Sequence, residues 1–379
     1  MKASKKVRVT LLSNDLVVGG AQRLVIDQLE LLDRDIFDLS LVVLSQLEGK
    51  GTFYELVPEG IPVYKLHFKG FGDIRSWLEL MRVLHTIRPQ LVKSSLFFSN
   101  TIAWVLKPLF GYTVIAAEHN TLITKTFLQV IANKIGTFLN YTMVVDSKKV
   151  ASFLAETEGI RPTAFTVVYN GVDLESIEKS KQALRNRRLE LRKSLGLDEN
   201  AFVFLTVARI TKQKNHHLMV EAFAESLAKR SDAQLLIVGE GELLPQLREY
   251  VKTLKLEGKV VFTGERHDVH TFYAISDAFM VTSRHEGFCI AAMEGLAFGM
   301  PLLSTKVAGI EEYLRDGVNG YFTDDVPSDI AQKMVLVQEL VEKDPNHFVE
   351  AGLETAQQYS KERYGKVYNE LFLKAANAR

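Results

Sequence analysis

Val7 to Leu32 reads VRVTLLSNDLVVGGAQRLVIDQLELL, and its texture changes twice. Val7 to Ser13 is apolar or small on both faces, the pattern of a strand covered on both sides. Gly19-Gly20 then turn the chain, and apolar residues from Ala21 to Leu32 return at helical spacing. Strand, glycine turn and helix in that order form the first unit of a parallel sheet clothed in helices.

The pattern recurs. Phe37–Leu44, Leu91–Leu96, Thr113–Ala117, Met143–Ser147 and Phe165–Tyr169 read as strands, and Ile74–Ile87 as a helix. Leu96 to Ala117 is the most membrane-like stretch, but Pro108 and Gly111 interrupt it, so a buried helix followed by a buried strand is expected. Residues 174–200 are polar, locally basic and free of strands, which predicts a solvated connector helix. Strands restart at Phe202–Val207, Gln234–Val238, Lys259–Thr263 and Ala278–Thr282, with one more in PLLST from Pro301. In the tail, Tyr364, Val367, Tyr368 and Leu371 fall at helical spacing. The resulting division is an α/β domain over 1–175, a connector over 176–200, a second α/β domain over 201–359, and a terminal helix over 360–379 packing back toward the first domain.

Composition agrees with this division and excludes several classes. A chain of 379 residues that is 47% hydrophobic has material for two cores and is not disordered. With 46 Lys+Arg against 46 Asp+Glu, no charge imbalance points to nucleic acid. Cys289 is the one cysteine, so disulfide frameworks and multi-cysteine metal sites are excluded and a reducing compartment is expected. The N-terminus shows no cleavable leader, and a cytoplasmic chain is expected.

Chemistry should gather at the carboxyl ends of the strands, where parallel sheets bind ligands. After the first strand, Gly19 and Gly20 either expose helix N–H groups to an anion or serve only as a tight packing joint. Val207 to His217 (VARITKQKNHH) places Arg209 and Lys214 between a strand and a helix, a combination suited to a diphosphate, with a solvated loop as the alternative. After the next strand, Gly239 and Gly241 either give a nucleotide close backbone access or merely turn the chain, and Arg266 follows the strand after that.

The most specific segment is Ser283 to Leu296, SRHEGFCIAAMEGL. Glu286 lies in a strand-to-helix turn and Glu294 eight residues on, about two helical turns, so both carboxylates can lie along one side. Ionised glutamates accept from hydroxyls, and the N–H groups of Gly287, Phe288 and Cys289 can receive a phosphate. Glu294 has only apolar or glycine neighbours, so a buried carboxylate there needs a partner. Cys289 has no histidine partner in the sequence pattern and reads as a packing residue. His119, after the strand TVIAA, is the candidate from the first domain. His216 and His217 match no zinc spacing.

In combination these segments resemble the retaining glycosyltransferases of family 4, with the two-domain GT-B fold. The resemblance rests on EGFCIAAMEGLAFGMP followed by STKVAGIEEYLRDGVNGYF, on VARITKQKNH, on LLIVGEGEL, on the Gly-Gly-Ala turn at 19–21, and on NGVD at Asn170–Asp173. It implies two Rossmann-like domains facing across a cleft and transfer of a sugar from a UDP-linked donor to a hydroxyl acceptor: a polysaccharide, lipid-linked saccharide or other cell-envelope glycan precursor. Arg209 and Lys214 would bind the diphosphate, and Glu286 the hydroxyls of the moving sugar. The backbone of Gly287 to Ile290 would meet sugar and phosphate, and Glu294 the ribose. Gly19, Gly20, Gly239, Gly241 and Arg266 would line the donor site, with His119 brought near the reaction centre by domain closure.

No metal or other cofactor is implied beyond the donor itself. Gln22 stands where the family commonly has glutamate, which leaves acceptor recognition open. Lys2, Lys5, Lys6 and Arg8, with Leu96–Phe98 and Trp104, are compatible with peripheral contact at the inner face of the cytoplasmic membrane. The competing readings are a GT-B sugar-nucleotide epimerase, a nucleotide-sugar-binding protein without transfer, and, less favoured because the glycine fingerprint is missing, a dinucleotide dehydrogenase.

Overall fold

A computed structural model describes residues 6–46, 51–118, 130–131, 134–136 and 142–377. The chain divides into two compact units, Met1–Asn170 with Lys361–Arg379, and Gly171–Ser360.

The first unit holds a seven-stranded sheet in the order β3-β2-β1-β4-β5-β6-β7, parallel throughout. The strands are β1 (Val7–Ser13), β2 (Phe37–Val43), β3 (Val63–Lys65), β4 (Leu91–Ser95), β5 (Thr113–Glu118), β6 (Thr142–Val145) and β7 (Phe165–Val167). β1 lies between β2 and β4 with helices over both faces, which is why VRVTLLS has no polar side. Its helices are α1 (Gly20–Leu31), α2 (Ile74–Ile87), α3 (Phe97–Phe110) and α4 (Lys148–Glu158). Asp73 caps α2 by accepting from the Ser76 N–H, and Ser147 caps α4 through Val150. The expected helix-then-strand reading of Leu96 to Ala117 is what forms, as α3 and β5.

The second unit holds a six-stranded parallel sheet in the order β10-β9-β8-β11-β12-β13. These are β8 (Phe202–Val207), β9 (Ala233–Val238), β10 (Val260–Gly264), β11 (Ala278–Val281), β12 (Leu302–Thr305) and β13 (Gly320–Thr323). Its helices are α5 (Leu174–Leu184), α6 (Arg188–Ser194), α7 (His216–Leu227), α8 (Leu244–Thr253), α9 (Val269–Ile275), α10 (Ile290–Phe298), α11 (Pro327–Lys343) and α12 (Val349–Gln357). The tail is α13 (Lys361–Asn377), which packs on α1: Tyr364 meets the Gln28 amide at 2.6 Å, and Phe372 meets Phe37 edge to face.

The stretch read as a solvated connector is different in kind. Arg188 and Arg192, one helical turn apart on α6, both reach Asp277, at 2.5 and 2.7 Å. Arg192 is buried and also donates to the carbonyls of Ile275 and Ala201. The basic run therefore fastens α6 to the foot of β11, and the residues belong to the second unit. β3 and β13, three and four residues long, carry too little apolar pattern to announce themselves.

Candidate functional site

In each sheet the strand order reverses beside the first strand of its unit, between β1 and β4 and between β8 and β11. The loops leaving adjacent strands there diverge, opening a crevice at the carboxyl edge. In the second unit the loop after β8 carries Arg209 and Lys214, and the turn after β11 carries Glu286.

These two segments are bound together. Lys214 Nζ lies 2.5 Å from Glu286 Oε1, and Ser283 Oγ donates to the same oxygen at 2.5 Å. Thr282 Oγ1 donates to the carbonyls of Lys214 and Asn215, Gln213 donates its side-chain amide to the His285 carbonyl, and the Arg284 N–H returns to Gln213. The crevice lined by Thr206 to Ala208, Lys214, Thr282, Ser283, Glu286 and Cys289 retains only about 10 Å³, room for about one water. Burial is the largest single influence on Lys214 and disfavours its ammonium, but the Glu286 charge, its hydrogen bond and the smaller raising influences together lift the pKa, so Lys214 stays charged. Arg209 is exposed, and its charge is near enough to act against that of Lys214.

Glu286 and Glu294 take different partners. Glu294, on α10, is half-buried, and its Oε2 accepts from the Tyr273 hydroxyl of α9 at 2.8 Å. Tyr273 is itself held in a stack between Phe279 and Phe298. The partner that the sequence demanded for Glu294 is thus an aromatic residue that reads as plain core. Between the two glutamates, Cys289 precedes α10 with a left-handed φ of 61°. Burial, followed by the Glu286 charge, pushes its thiol up to about 12, which makes it a neutral packing group at physiological pH. α7 and α10 begin without a side-chain cap and without an acidic residue in the first turn. Their N-terminal amides and partial positive charge therefore face the same edge.

Other candidates behave less simply. The Phe288 side chain is buried against Tyr313 and Tyr359, and its carbonyl accepts from the Tyr313 hydroxyl at 2.9 Å. Ile290 opens α10 half-buried. Gly239 and Gly241 are required by the chain itself: a Cβ on Gly239 would stand 2.1 Å from the Ala208 carbonyl oxygen, and one on Gly241 2.3 Å from that of Ile210. They let the β9 turn support the Arg209 loop, which the Ile210 N–H anchors on the Glu240 carbonyl. Arg266 is exposed after β10, two strands from β8, forked onto Asp268 at 2.8 Å through both nitrogens. Its place beyond β10, on the far side of β9 from β8, separates it from the Lys214–Glu286 pair.

Gly309 was not singled out by the sequence, yet it underlies the turn. Its φ of −73° suits any residue, but a Cβ would lie 1.9 Å from the Gly287 carbonyl oxygen. In the first unit, Gly19 and Gly20 open α1 with no side-chain cap. Gln22 donates to Asp15 Oδ1 at 3.0 Å, where a glutamate would oppose a carboxylate. His119 lies outside the described residues, one position beyond β5. Among the described residues there is no cluster of three or more His, Cys, Asp or Glu that could hold a metal ion, and no helix is long and apolar enough to cross a membrane.

Comparison with known proteins fits this layout. Residues 18–176 match the family described as Glycosyltransferase Family 4, and residues 187–355 match Glycosyl transferases group 1. N-acetyl-alpha-D-glucosaminyl L-malate synthase of Bacillus anthracis is 30% identical over 172 residues, 45% of this chain and 43% of that protein. The chain therefore spans less than half the length of that relative. The UDP-Gal:alpha-D-GlcNAc-diphosphoundecaprenol alpha-1,3-galactosyltransferase of Escherichia coli is 24% identical over 83% of this chain and 84% of its own. The crystal structure of Anabaena HepE with UDP and glucose superposes with a TM-score of 0.84 at 20% identity, over 97% of this chain and all of HepE. With two parallel Rossmann-like sheets and a family match on each half, the chain belongs to the GT-B-fold glycosyltransferases, family 4 in its first half and group 1 in its second.

Proposed function

We propose that this chain transfers a sugar, with retention, from a UDP-linked donor to a hydroxyl of a saccharide or lipid-linked saccharide in cell-envelope glycan synthesis. The observation that carries the reading is the Lys214–Glu286 pair at the β8/β11 crossover, set between the starts of α7 and α10. A diphosphate needs fixed positive charge and N–H donors, and a sugar needs an acceptor for its hydroxyls; this edge supplies all three. The galactosyltransferase of Escherichia coli, with its UDP-Gal donor and diphosphoundecaprenol-linked acceptor, supports the donor and acceptor classes, and HepE was crystallised with UDP and with UDP-glucose.

In this scheme Arg209, Lys214 and the helix-end amides stabilise charge as the bond from the anomeric carbon to phosphate breaks. The acceptor oxygen bonds to that carbon on the face the diphosphate leaves, and its proton passes to the departing phosphate oxygen. Glu286 orients the sugar, Glu294 the ribose, and Gly287 to Ile290 offer backbone contacts. His119 and the Gly19-Gly20 turn act from the first unit. The cations here take the part a metal would otherwise play. Lys6 and Arg8, together with the exposed apolar side chains of the first unit, support peripheral membrane contact.

A donor panel followed by nucleoside-diphosphate release, with and without lipid extract, tests the reading. Glu286→Ala and Arg209→Ala should abolish acceptor-dependent release while both variants stay folded. Transfer at the wild-type rate by both would overturn the site. Epimerised donor without acceptor would establish the epimerase, and donor binding without release the non-enzymatic binder.

A further inference from the structure

Tyr313 reaches the turn after Glu286 from the segment that lies behind it. It follows a short helical turn, Ile310–Glu312, and is buried. Its ring packs against Phe288 and Tyr359, with centroids 5.3 and 6.1 Å away. Its hydroxyl donates to the Phe288 carbonyl at 2.9 Å and reaches the Cys289 carbonyl at 3.3 Å. Burial lifts its pKa well above the usual tyrosine value, so the hydroxyl keeps the proton it donates.

The backbone of Tyr313 is fixed as firmly. Its carbonyl accepts from Asn319 Nδ2 at 3.0 Å, and the same nitrogen reaches Thr355 Oγ1 on α12 at 3.0 Å. Asn319 is fully buried, and its Oδ1 accepts from the Arg315 N–H at 2.7 Å. The segment STKVAGIEEYLRDGVNGYF is therefore a strut. Gly309 lets it lie against the Gly287 carbonyl, Asn319 ties it to α12, and Tyr313 spans to the turn.

This strut sets the direction of two amides. The Phe288 carbonyl shares a peptide group with the Cys289 N–H, and the Cys289 carbonyl shares one with the Ile290 N–H. Both peptides are trans, so each N–H points opposite to its carbonyl. Carbonyls gathered on the Tyr313 hydroxyl thus turn both N–H groups away from it. Cys289 is left-handed, at φ 61° and ψ 76°, and helical residues follow, a succession that makes a concave cradle of N–H groups. No side chain caps the start of α10, which adds its partial positive charge. A carbonyl swung outward at this place would instead oppose an anion.

We propose that Tyr313 is a positioning residue for the donor diphosphate: its hydroxyl holds the Phe288 and Cys289 carbonyls back so that the Cys289 and Ile290 amides face the phosphate. This rests on the donor reading above and adds to it a residue that acts through the backbone alone.

Cys289 is the one cysteine of the chain, so ¹⁵N-labelled cysteine gives a single amide resonance, that of the first of these amides. In the wild type UDP should move its proton downfield, and uridine, which carries no phosphate, should leave it nearly in place. Tyr313→Phe keeps the ring and removes only the hydroxyl, so the chain should stay folded with a small drop in melting temperature. The variant should bind UDP about tenfold more weakly and uridine within about twofold of the wild type, and kcat/KM for transfer should fall at least about tenfold. A hydroxyl that merely satisfied buried carbonyls would lower melting yet leave the preference for UDP over uridine untouched, and that result would refute the proposal. Equal displacement of the Cys289 resonance by uridine and by UDP would also refute it, by setting the amide apart from the phosphate. No binding of UDP at all, by calorimetry on the wild type, would instead overturn the donor reading and this inference with it.

Discussion

Replacing Lys214 with Met separates what the Lys214–Glu286 pair does for the fold from what it does for the reaction. The side chains are 20% and 7% exposed, so removing the ammonium leaves a nearly buried carboxylate with Ser283 as its remaining side-chain donor. Breaking a buried pair costs about 3–5 kcal/mol, and the partial exposure of Lys214 lowers that to about 2–3 kcal/mol. For a unit of this size the melting temperature should fall by about 5–10 °C. In the double variant Lys214→Met/Glu286→Gln no charge is left unpaired, and stability should return to within about 1 kcal/mol of the parent.

Turnover should behave oppositely. On the proposed reading kcat/KM falls about 10²–10³-fold in the single variant and stays down in the double, because the leaving diphosphate has lost its cation either way. Both tryptophans, Trp77 and Trp104, lie in the first unit, so the second unit should be followed by circular dichroism or hydrogen exchange. If single and double variants are equally destabilised, the pair contributes no coupling. Recovery of turnover in the double variant would show that Lys214 matters only to the fold.

Four further outcomes follow from individual residues. His216 is buried with neither ring nitrogen bonded, and burial lowers its pKa to about 4. Its neutral form stabilises the fold above about pH 6.5, and that contribution should fade as pH falls toward 4; His216→Leu should flatten this acid limb in denaturant titrations, and an unchanged limb would reject the assignment. Cys289 should resist a disulfide reagent at pH 8 until the protein is unfolded, because its thiol titrates at about 12; modification of the native chain within minutes would contradict this. Gly309→Ala should lower stability by about 2 kcal/mol or more and turnover with it, by displacing the turn that carries Glu286, whereas an active variant with native melting would show that the turn can yield. Tyr273→Phe should raise the donor KM about tenfold with little change in kcat, since it loosens Glu294 without touching the leaving group, and an unchanged KM would deny Tyr273 a positioning role.

The fold was readable wherever burial on both sides imposed continuous apolar runs, as in Val7–Ser13 and Phe202–Val207, and wherever glycine punctuated the run. It was unreadable where a tertiary partner changed the meaning of a residue. Arg188 and Arg192 look like a solvated charge run until Asp277, more than eighty residues on, turns them into a clasp. The candidate site divides the same way. Lys214 and Glu286 carry chemistry that their residue types announce, but their pairing across 72 residues is a property of the strand order. Tyr273 sits in VHTFYAI, where any aromatic reads as core, and only its hydroxyl distinguishes it. Gly239 and Gly241 signalled close approach correctly in kind, yet what approaches them in the structure is the Ala208–Ile210 backbone. For His119 the reading stands on the sequence and its resemblance alone.

The short Ser283–Glu286 bond bears on how one carboxylate could serve both the resting protein and the proposed reaction. A bare Glu286 would repel an arriving diphosphate; at about 4 Å and an effective dielectric near 20, two unit charges interact by about 4 kcal/mol. With Lys214 beside it the carboxylate is neutralised, and that repulsion is largely cancelled before the ligand arrives. If Lys214 then turns to the phosphate, Glu286 loses its cation while sugar hydroxyls become available as donors. Ser283 and the Lys214-loop contacts of Thr282 keep both segments in register through that exchange. On the proposed reading the ion pair is a neutral resting state whose two halves are each released to a different part of the donor, so neither residue should be replaceable by a neutral isostere in the reaction although the two together should be in the fold.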